Sequence, residues 1–261
     1  TFNDFTVNKT ASNVRITLSN DITANNVVMT QGYINTDNFK ITTTSGRSGN
    51  GIIIGTVVHS HSFANATPYS FEGPNNLITF NNPSGITSVS VTTKIGEISD
   101  FDPDIESIIR EYEISVPSGT YTSATLRMHY ENNELNAFSE PFLSIYKHNT
   151  GLTWDSLGYT SRDTGLNYVE RTNITSVNGR FSASGIRNIV RWNGSVSTAW
   201  NNASNWTTIS GTNMANRVPT STDAAQLGVG TVTNQPSVST AHTVSVLRFG
   251  SDYAVTLTIN G

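Results

Sequence analysis

The sequence predicts an all-β protein, in which a central β-sandwich is flanked at both ends by short-strand, solenoid-like or Ig-like β segments. Apolar and polar residues alternate over short windows along most of the chain, and Asn, Gly, Pro and Asp separate those windows. Charged residues make up only 13% of the sequence, against about 25% in an ordinary soluble domain. With 9% aromatic residues and a net charge of −4, the chain is nevertheless expected to fold.

The alternation is clearest in two windows. Residues 123–130 (SATLRMHY) place every second side chain on an apolar face, and residues 109–116 (IREYEISV) place Arg110, Tyr112 and Ile114 on one face. A helix-like window at 102–111 is predicted to form one turn at most, because its second half overlaps the strand predicted to begin at Ile109. Further short strands are predicted at 14–18, 51–58, 77–80, 88–93, 142–147, 242–249 and 253–259.

Composition divides the chain into three parts. Residues 1–60 are predicted to continue a β-rich repeat begun by a preceding copy, 61–188 to form the β-sandwich, and 189–261 to start a tryptophan-rich β-repeat module. Read from tail to head, the two extremities give one series of short strands and turns, as in a solenoid. We therefore expect a piece of a longer chain, or a chain whose tail pairs with the head of the next copy.

Several functional classes are disfavoured by composition. No Lys/Arg-rich run is available to neutralise phosphates, so nucleic acid is not an expected partner, and no apolar run approaches the roughly 20 residues that cross a bilayer. The absence of cysteine removes disulfides and thiolate chemistry. No signal peptide is visible at the start of the sequence, and the composition favours a mature or partial chain from the outer surface of a bacterium.

Three of the four tryptophans lie in WNGSVSTAWNNASNW (192–206), which otherwise reads as turns. A few indoles can hold together a small module that lacks a large core, because each buries a large area with few rotatable bonds. Trp192, Trp200 and Trp206 are therefore predicted to form a structural junction between the sandwich and the solenoid-like part. The alternative is that they are exposed and stack on sugars, as in carbohydrate-binding modules.

The sequence resembles, over nearly its whole length, the modular surface and adhesin-like proteins that bacteria of the Bacteroidetes–Chlorobi–Ignavibacteria group secrete. The tryptophan-rich stretch, followed by RVPTSTDAAQLG (217–228), is similar to a pattern that opens their β-rich repeats, and 109–136 resembles their sandwich domain. Tyr112 stands where their middle strand usually has tryptophan, and the sorting domain that ends many of them is not seen. The resemblance implies an architecture and a secreted location rather than an activity.

Motifs for catalysis are lacking in the sequence. It contains no G-x-S-x-G, H-E-x-x-H or Walker loop, so we expect no enzyme and no cofactor. His59 and His61 stand on one face of an extended segment and could hold a metal if a third ligand approached, but a solvated strand face is the favoured interpretation. Carboxylates that could serve a glycosidase are present, but nothing in the sequence pairs them: Glu131, Glu134, Glu140 and Asp155.

The best metal candidate is SDFDPDIES (99–107). Its alternating acidic residues could converge in a loop and offer the oxygen ligands that Ca²⁺ prefers, although an acidic run more often forms a solvated face. The candidate calcium ligands are Asp100, Asp102, Asp104 and Glu106.

Surface glycosylation is a further hypothesis. Ser156 lies in Asp-Ser-Leu, which resembles the triplet that carries O-glycans in the same bacterial lineage. N-x-Ser/Thr triplets also occur, but a chain this rich in Asn, Ser and Thr produces them by chance; they begin at Asn8, Asn65, Asn173, Asn193, Asn202 and Asn205.

Two functions from different classes are consistent with these observations. The first is a non-enzymatic extracellular unit of a cell-surface fibre, with copies of itself as partners, joined head to tail by strand pairing, and with surface glycans as a further partner. The second is a carbohydrate-binding or accessory module of a larger secreted glycoside-active enzyme. Ice binding is suggested by VTLTI (255–259), but the motif is isolated, whereas ice binding needs a regular array.

Overall fold

The computed structural model describes residues 1–11, 14–101, 106–211 and 213–260. These residues form an all-β protein with solenoid-like stacks, which confirms the predicted class. The chain divides into two compact units: unit 1 comprises Thr1–Glu134 and Ser144–Ala183, and unit 2 comprises Leu135–Leu143 and Ser184–Gly261. Among the described residues, no helix has the length and apolarity needed to span a membrane.

Strands are numbered along the chain. Those that build unit 1 are β1 (Phe2–Asn8), β2 (Arg15–Thr17), β3 (Ile22–Gln31), β4 (Tyr33–Ser48), β5 (Ile52–His59), β6 (Pro68–Ser70), β7 (Leu77–Asn81), β8 (Val89–Ile95), β9 (Arg110–Ser115), β10 (Ser123–His129), β11 (Ser144–Thr150), β12 (Thr153–Gly158), β13 (Ser161–Asp163), β14 (Tyr168–Ile174) and β15 (Gly179–Ser184). Unit 2 has β16 (Ile189–Trp192), β17 (Trp206–Ser210), β18 (Ala224–Leu227), β19 (Ser237–Val238), β20 (Val246–Phe249) and β21 (Thr258–Ile259). Short 3₁₀ turns lie at Asn132–Glu134, Glu140–Phe142 and Ala203–Asn205.

The first strands of unit 1 form a parallel stack. β1, β3, β4 and β5 are neighbours in that order, and β2 pairs with β4. Arg15 pairs with Tyr33, which pairs with Ile52, so each rung of the stack takes about 20 residues, a length typical of solenoids. At the corner between rungs a Cβ on Gly51 would lie 2.7 Å from the carbonyl oxygen of Gly32, which explains the glycine there.

Polar side chains also stack from rung to rung. The Asn25 amide donates to Asn3 Oδ1 at 3.0 Å and accepts from the Thr44 hydroxyl at 2.9 Å. Such ladders of identical or similar polar residues stabilise parallel, in-register strands. The richness of the first 60 residues in Asn and Thr thus has a structural role in this stack.

The sheet of the parallel stack continues into antiparallel strands. β5 pairs antiparallel with β8, and the same sheet runs on through β9, β15, β11 and β12. A second, five-stranded sheet has the order β13-β14-β10-β7-β6. Val91 and Ile114 from the first sheet and Phe80 and Leu126 from the second are all buried. The alternation predicted for 123–130 holds as far as Met128; Ala124, Leu126, Met128 and Tyr130 are buried as expected, but His129, predicted on the polar face, is buried as well.

Unit 2 contains a second parallel stack. β16, β18 and β20 run parallel, β17 flanks β16 in the antiparallel sense, and β19 pairs parallel with β21. The predicted strands near the end of the chain are shorter than expected, because β20 begins at Val246 and β21 covers only Thr258 and Ile259. Of the predicted turn at 102–111, residues 102–105 lie outside the described residues.

Candidate functional site

The outer strands of the two parallel stacks follow the same plan. In each rung the second strand begins about a dozen residues after the first, as in β1 and β2, β18 and β19, and β20 and β21. Paired positions in successive rungs are about 20 residues apart: Arg15 pairs with Tyr33, and Ser237 pairs with Thr258. Rungs of this length therefore occur in both stacks, although β16 and β18 of unit 2 pair at a spacing of 35 residues, Ile189 with Ala224.

These outer strands carry exposed apolar side chains. Phe2 of β1 is 55% exposed, Phe249 of β20 is 61% exposed and Ile259 of β21 is 73% exposed. Among the described residues β1 pairs only with β3, β20 only with β18 and β21 only with β19. Each stack thus presents a free parallel edge with apolar side chains beside it.

A buried ionic cluster lies inside unit 1. Arg110, fully buried at the start of β9, donates from Nε and Nη2 to the two oxygens of Glu134 at 2.6 and 2.8 Å, and from Nη1 to Glu72. The hydroxyl of Tyr112 contacts the Glu72 carboxylate, and His129 Nδ1 lies 3.0 Å from Glu72 Oε1. A buried guanidinium held by two carboxylates and further hydrogen bonds satisfies the condition under which charge is tolerated in a protein core.

The electrostatics of the cluster follow from burial and from this pairing. Burial raises the pKa of Glu72, but Arg110, His129 and Tyr112 outweigh it and hold that pKa well below its ordinary value. Burial and the Glu72 charge raise the pKa of the Tyr112 hydroxyl well above its ordinary value. Glu72 therefore stays ionised, and Tyr112 stays protonated and available as a donor.

The cluster continues to the surface through Glu131 and Tyr33. The Tyr33 hydroxyl donates to Glu131 Oε1 at 3.1 Å, and the backbone N–H of Glu131 donates to Glu134 Oε2 at 2.9 Å. Burial, together with the Glu131 charge, raises the pKa of Tyr33 to about 12. Glu131 is the part-exposed member of this set, whereas Glu72 and Glu134 are almost completely enclosed.

Tyr33 and Glu131 form the wall shared by two neighbouring cavities of about 640 and 540 Å³. The larger cavity, which we name the Tyr33 cleft, is lined by Arg15, Tyr33, Asn35, Ile54, Ile95, Ile109, Arg110, Glu131, Asn133 and Glu134. Its volume falls within the roughly 300–1,000 Å³ of small-molecule sites. The structure thus brings Glu131 and Glu134 together, although nothing in the sequence pairs them.

In the sequence, the position of Arg110 is the feature that could have indicated this buried ionic cluster. The alternation of 109–116 placed Arg110 on the same face as Tyr112 and Ile114, and that face is the buried one. A charged residue on a buried strand face requires a buried partner of opposite charge. The sequence pattern could have indicated an ion pair, but the partners, Glu72 and Glu134, are far away in the sequence.

The predicted tryptophan residues lie in the core of unit 2. Trp192, Trp200 and Trp206 are 0%, 4% and 0% exposed, with ring centroids 4.6–6.4 Å apart. The indole N–H of Trp206 donates to the Trp200 carbonyl, and that of Trp192 to the Asn234 carbonyl. These buried indoles offer no face for stacking on sugars. The other members of their cluster belong to unit 2, so a junction between modules stays a prediction.

Asn205 organises the loop that carries these tryptophans. Its Oδ1 accepts from the backbone N–H groups of Val196 and Ser197, and its Nδ2 donates to Ser197 Oγ and to the Ala199 carbonyl. The residue is fully buried and all of its amide positions are used. Its N-x-Thr triplet is therefore unavailable to a glycan in the folded chain.

The calcium candidates are only partly described. Asp100 accepts two hydrogen bonds from the Arg180 guanidinium, at 2.5 and 2.8 Å, and this pairing lowers the pKa of its carboxyl. Glu106 adopts a left-handed backbone conformation with φ of 54°. Asp102 and Asp104 lie outside the described residues, so a calcium site stays a prediction.

The histidine pair does not lie on a solvated strand face, as the sequence suggested. His59 is 1% exposed, its Nδ1 lies 3.1 Å from His61 Nε2, and its ring packs against Phe71. Burial, aided by the neighbouring imidazole, lowers the pKa of His59 to about 3. In the part of the chain that the structure describes, no group of three or more His, Asp or Glu side chains is arranged to hold a metal ion.

Ser156, the predicted O-glycosylation site, lies on β12 at the end of the ten-stranded sheet and is exposed. Its hydroxyl oxygen accepts from the Gly158 N–H at 3.3 Å. A glycan there would meet solvent, and the modification stays a prediction.

Comparison with known proteins gives no relative from which a function could be transferred. No family model matches the chain, no curated protein is significantly similar to it, and no solved structure matches it.

Proposed function

We propose that this protein is a non-enzymatic structural unit of an extracellular bacterial surface fibre. Neighbouring copies of the whole chain, as separate subunits or as tandem repeats of a longer chain, join head to tail by parallel strand pairing. The observation that supports this proposal is the similar rung plan of the two stacks, whose outer strands, β1 in unit 1 and β20 and β21 in unit 2, each present a free parallel edge.

Pairing of these edges is physically favourable. The outer strands carry rows of N–H and C=O groups that a further rung would satisfy. The exposed side chains of Phe2, Phe249 and Ile259 would be covered at the same time, and about 25 cal/mol is gained per Å² of apolar surface removed from water. Because the two edges differ, the contact is heterologous, and repetition without closure gives a filament.

The extracellular location is supported by composition and by the resemblance to secreted surface proteins. The chain has no cysteine, little lysine and abundant Thr, Ser and Asn. An adhesive role, with surface glycans as targets, follows from the resemblance alone.

The test is assembly of the full chain and of a variant with one edge blocked. Phe249→Lys places a charge beside the free edge of β20, where it opposes pairing with another strand. Val196→Lys is the matched control, because Val196 is also in unit 2 and also 61% exposed but lies outside the strands. Electron microscopy and sedimentation velocity over a range of protein concentrations measure the filament length and the size distribution.

We expect filaments, or concentration-dependent oligomers, for the unmodified chain and for Val196→Lys, and a shift to monomer for Phe249→Lys. A chain that stays monomeric at all concentrations, or two variants that assemble equally well, would contradict assembly through this edge.

A further inference from the structure

The lining of the Tyr33 cleft carries charged side chains of both signs. Two arginines and two glutamates line it, namely Arg15 and Arg110 with Glu131 and Glu134. Arg110 and Glu134 are enclosed and paired with each other, so a ligand would meet one accessible charge of each sign, the Arg15 guanidinium and the Glu131 carboxylate. The ligand favoured by this balance is neutral and carries both donors and acceptors.

The cleft is also amphipathic. Its polar groups include the Glu131 carboxylate as an acceptor and the Arg15 guanidinium as a donor, while Ile54 and Ile95 add aliphatic surface. A pyranose ring likewise combines polar and apolar surface, with hydroxyl groups around its rim and C–H groups on its faces. We propose that the Tyr33 cleft binds a neutral saccharide, with Glu131 accepting hydrogen bonds from its hydroxyl groups.

Glu131 is held for this role by its neighbours. The Tyr33 hydroxyl donates to Glu131 Oε1 at 3.1 Å, and the Glu131 backbone N–H is fixed by Glu134, which Arg110 in turn holds with two hydrogen bonds. The buried cluster thus fixes the one part-exposed carboxylate before a ligand arrives. Groups that are fixed in advance lose less conformational entropy on binding.

This site is independent of the proposed assembly, because it lies within unit 1 and uses none of β20 and β21. A monomeric edge-blocked chain, Phe249→Lys, is therefore a suitable background for the binding test. Failure of assembly leaves the binding result interpretable, and failure of binding leaves the assembly result interpretable.

The experiment is titration of the ¹⁵N-labelled chain with glucose, galactose, mannose, N-acetylglucosamine and their disaccharides, followed by amide chemical shifts. Methylammonium and guanidinium chloride serve as cationic probes, and sulfate as the anionic probe. The same titrations are carried out on Glu131→Gln and on Asn133→Ala, which alters a different residue of the cleft lining. Glu113→Gln is the control, because Glu113 is an exposed acid on β9 that does not line the cleft.

We expect at least one neutral sugar to shift the amides of Tyr33, Asn35 and Asn133 with a dissociation constant in the millimolar range or below. Glu131→Gln is expected to weaken binding by about tenfold, because a hydrogen bond to a charged acceptor is stronger than one to a neutral amide. Asn133→Ala should also weaken it, while Glu113→Gln leaves it unchanged.

Three results would overturn the proposal. The first is the absence of any shift at the cleft with every sugar tested. The second is saturation by the cationic or anionic probes in place of the sugars. The third is sugar binding that the Glu131 and Asn133 variants leave as strong as in the control.

Discussion

Arg110 is the residue on which the interior of unit 1 most depends. Its guanidinium forms an ion pair with both Glu72 and Glu134. All three side chains are almost completely enclosed, so removal of the one cation leaves two carboxylates without their main partner.

We expect Arg110→Met to destabilise the protein by about 3–5 kcal/mol, because breaking a buried ion pair leaves an uncompensated charge in the core. Lys94→Met is the control: Lys94 also pairs with carboxylates on β9, but its side chain is 53% exposed, and a loss of about 1 kcal/mol or less is expected. Urea unfolding followed by circular dichroism measures both. Equal losses in the two variants would mean that the cluster is far less important than its burial indicates.

His59 makes stability depend on pH. Its pKa is about 3 in the folded protein and about 6.5 in the unfolded chain, so the unfolded chain binds the proton first as the pH falls. The stability due to neutral His59 is therefore fully present above about pH 6.5 and is lost as the pH falls towards 3.

Between pH 7 and about pH 5 we expect the free energy of unfolding to fall by about 2 kcal/mol through His59. His59→Phe, which keeps an aromatic ring beside Phe71, should flatten this dependence. Urea unfolding at the two pH values tests the change. A variant with the full pH dependence of the parent would show that another group is responsible.

Single residues also show what sequence patterns can and cannot reveal. The burial of Arg110 followed from the alternation of its strand, and the burial of His59 did not, because nothing in the sequence indicates the aromatic cluster that surrounds it. Glu72 and Glu134 became partners only through tertiary pairing, at separations of 38 and 24 residues from Arg110. Local periodicity carries no information about such contacts.

At the level of secondary-structure elements, the solenoid rungs were the hardest to predict. β4 spans 16 residues, and two threonines in this strand, Thr36 and Thr43, are completely buried. Thr43 satisfies its hydroxyl with the Asn25 and Gly46 carbonyl oxygens, at 2.7 and 2.8 Å. Because polar residues occupy buried positions in these strands, the sequence does not show the alternation of apolar and polar residues by which half-buried strands are recognised. The antiparallel strands β9 and β10, whose buried faces are largely apolar, were predicted almost to the residue.

The loop between β16 and β17 depends on one amide side chain. We expect Asn205→Ala to destabilise unit 2 by about 3 kcal/mol, because it leaves buried backbone groups without partners. Asn202→Ala is the control, since Asn202 is half-buried and its side chain accepts one hydrogen bond, from the Ser204 N–H; a loss of about 1 kcal/mol is expected. Tryptophan fluorescence during urea unfolding reports on this loop. Similar losses for both variants would contradict an organising role for Asn205.

At the scale of the whole molecule, the two parallel edges are unlike, and this gives the assembly proposal a specific consequence. A chain blocked at the tail by Phe249→Lys keeps a usable β1 edge, and a chain blocked at the head by Thr6→Lys keeps usable β20 and β21 edges. In a solution of either variant alone, the edge that remains usable finds no complementary edge on another copy.

We expect an equimolar mixture of the two blocked chains to form dimers and nothing larger, because only one compatible pair of edges remains. Sedimentation equilibrium measures the mass of the complex, and each variant alone serves as the control and stays monomeric. Filaments in the mixture, or dimers of a single variant, would indicate that edges of the same kind pair with each other.

Parallel stacking has one further consequence. A row of chains joined in this way has a direction, because each contact joins the β1 edge of one chain to the β20 and β21 edges of the next. A single tethered chain could then fix which terminus faces the cell, and one capping molecule could set the final length.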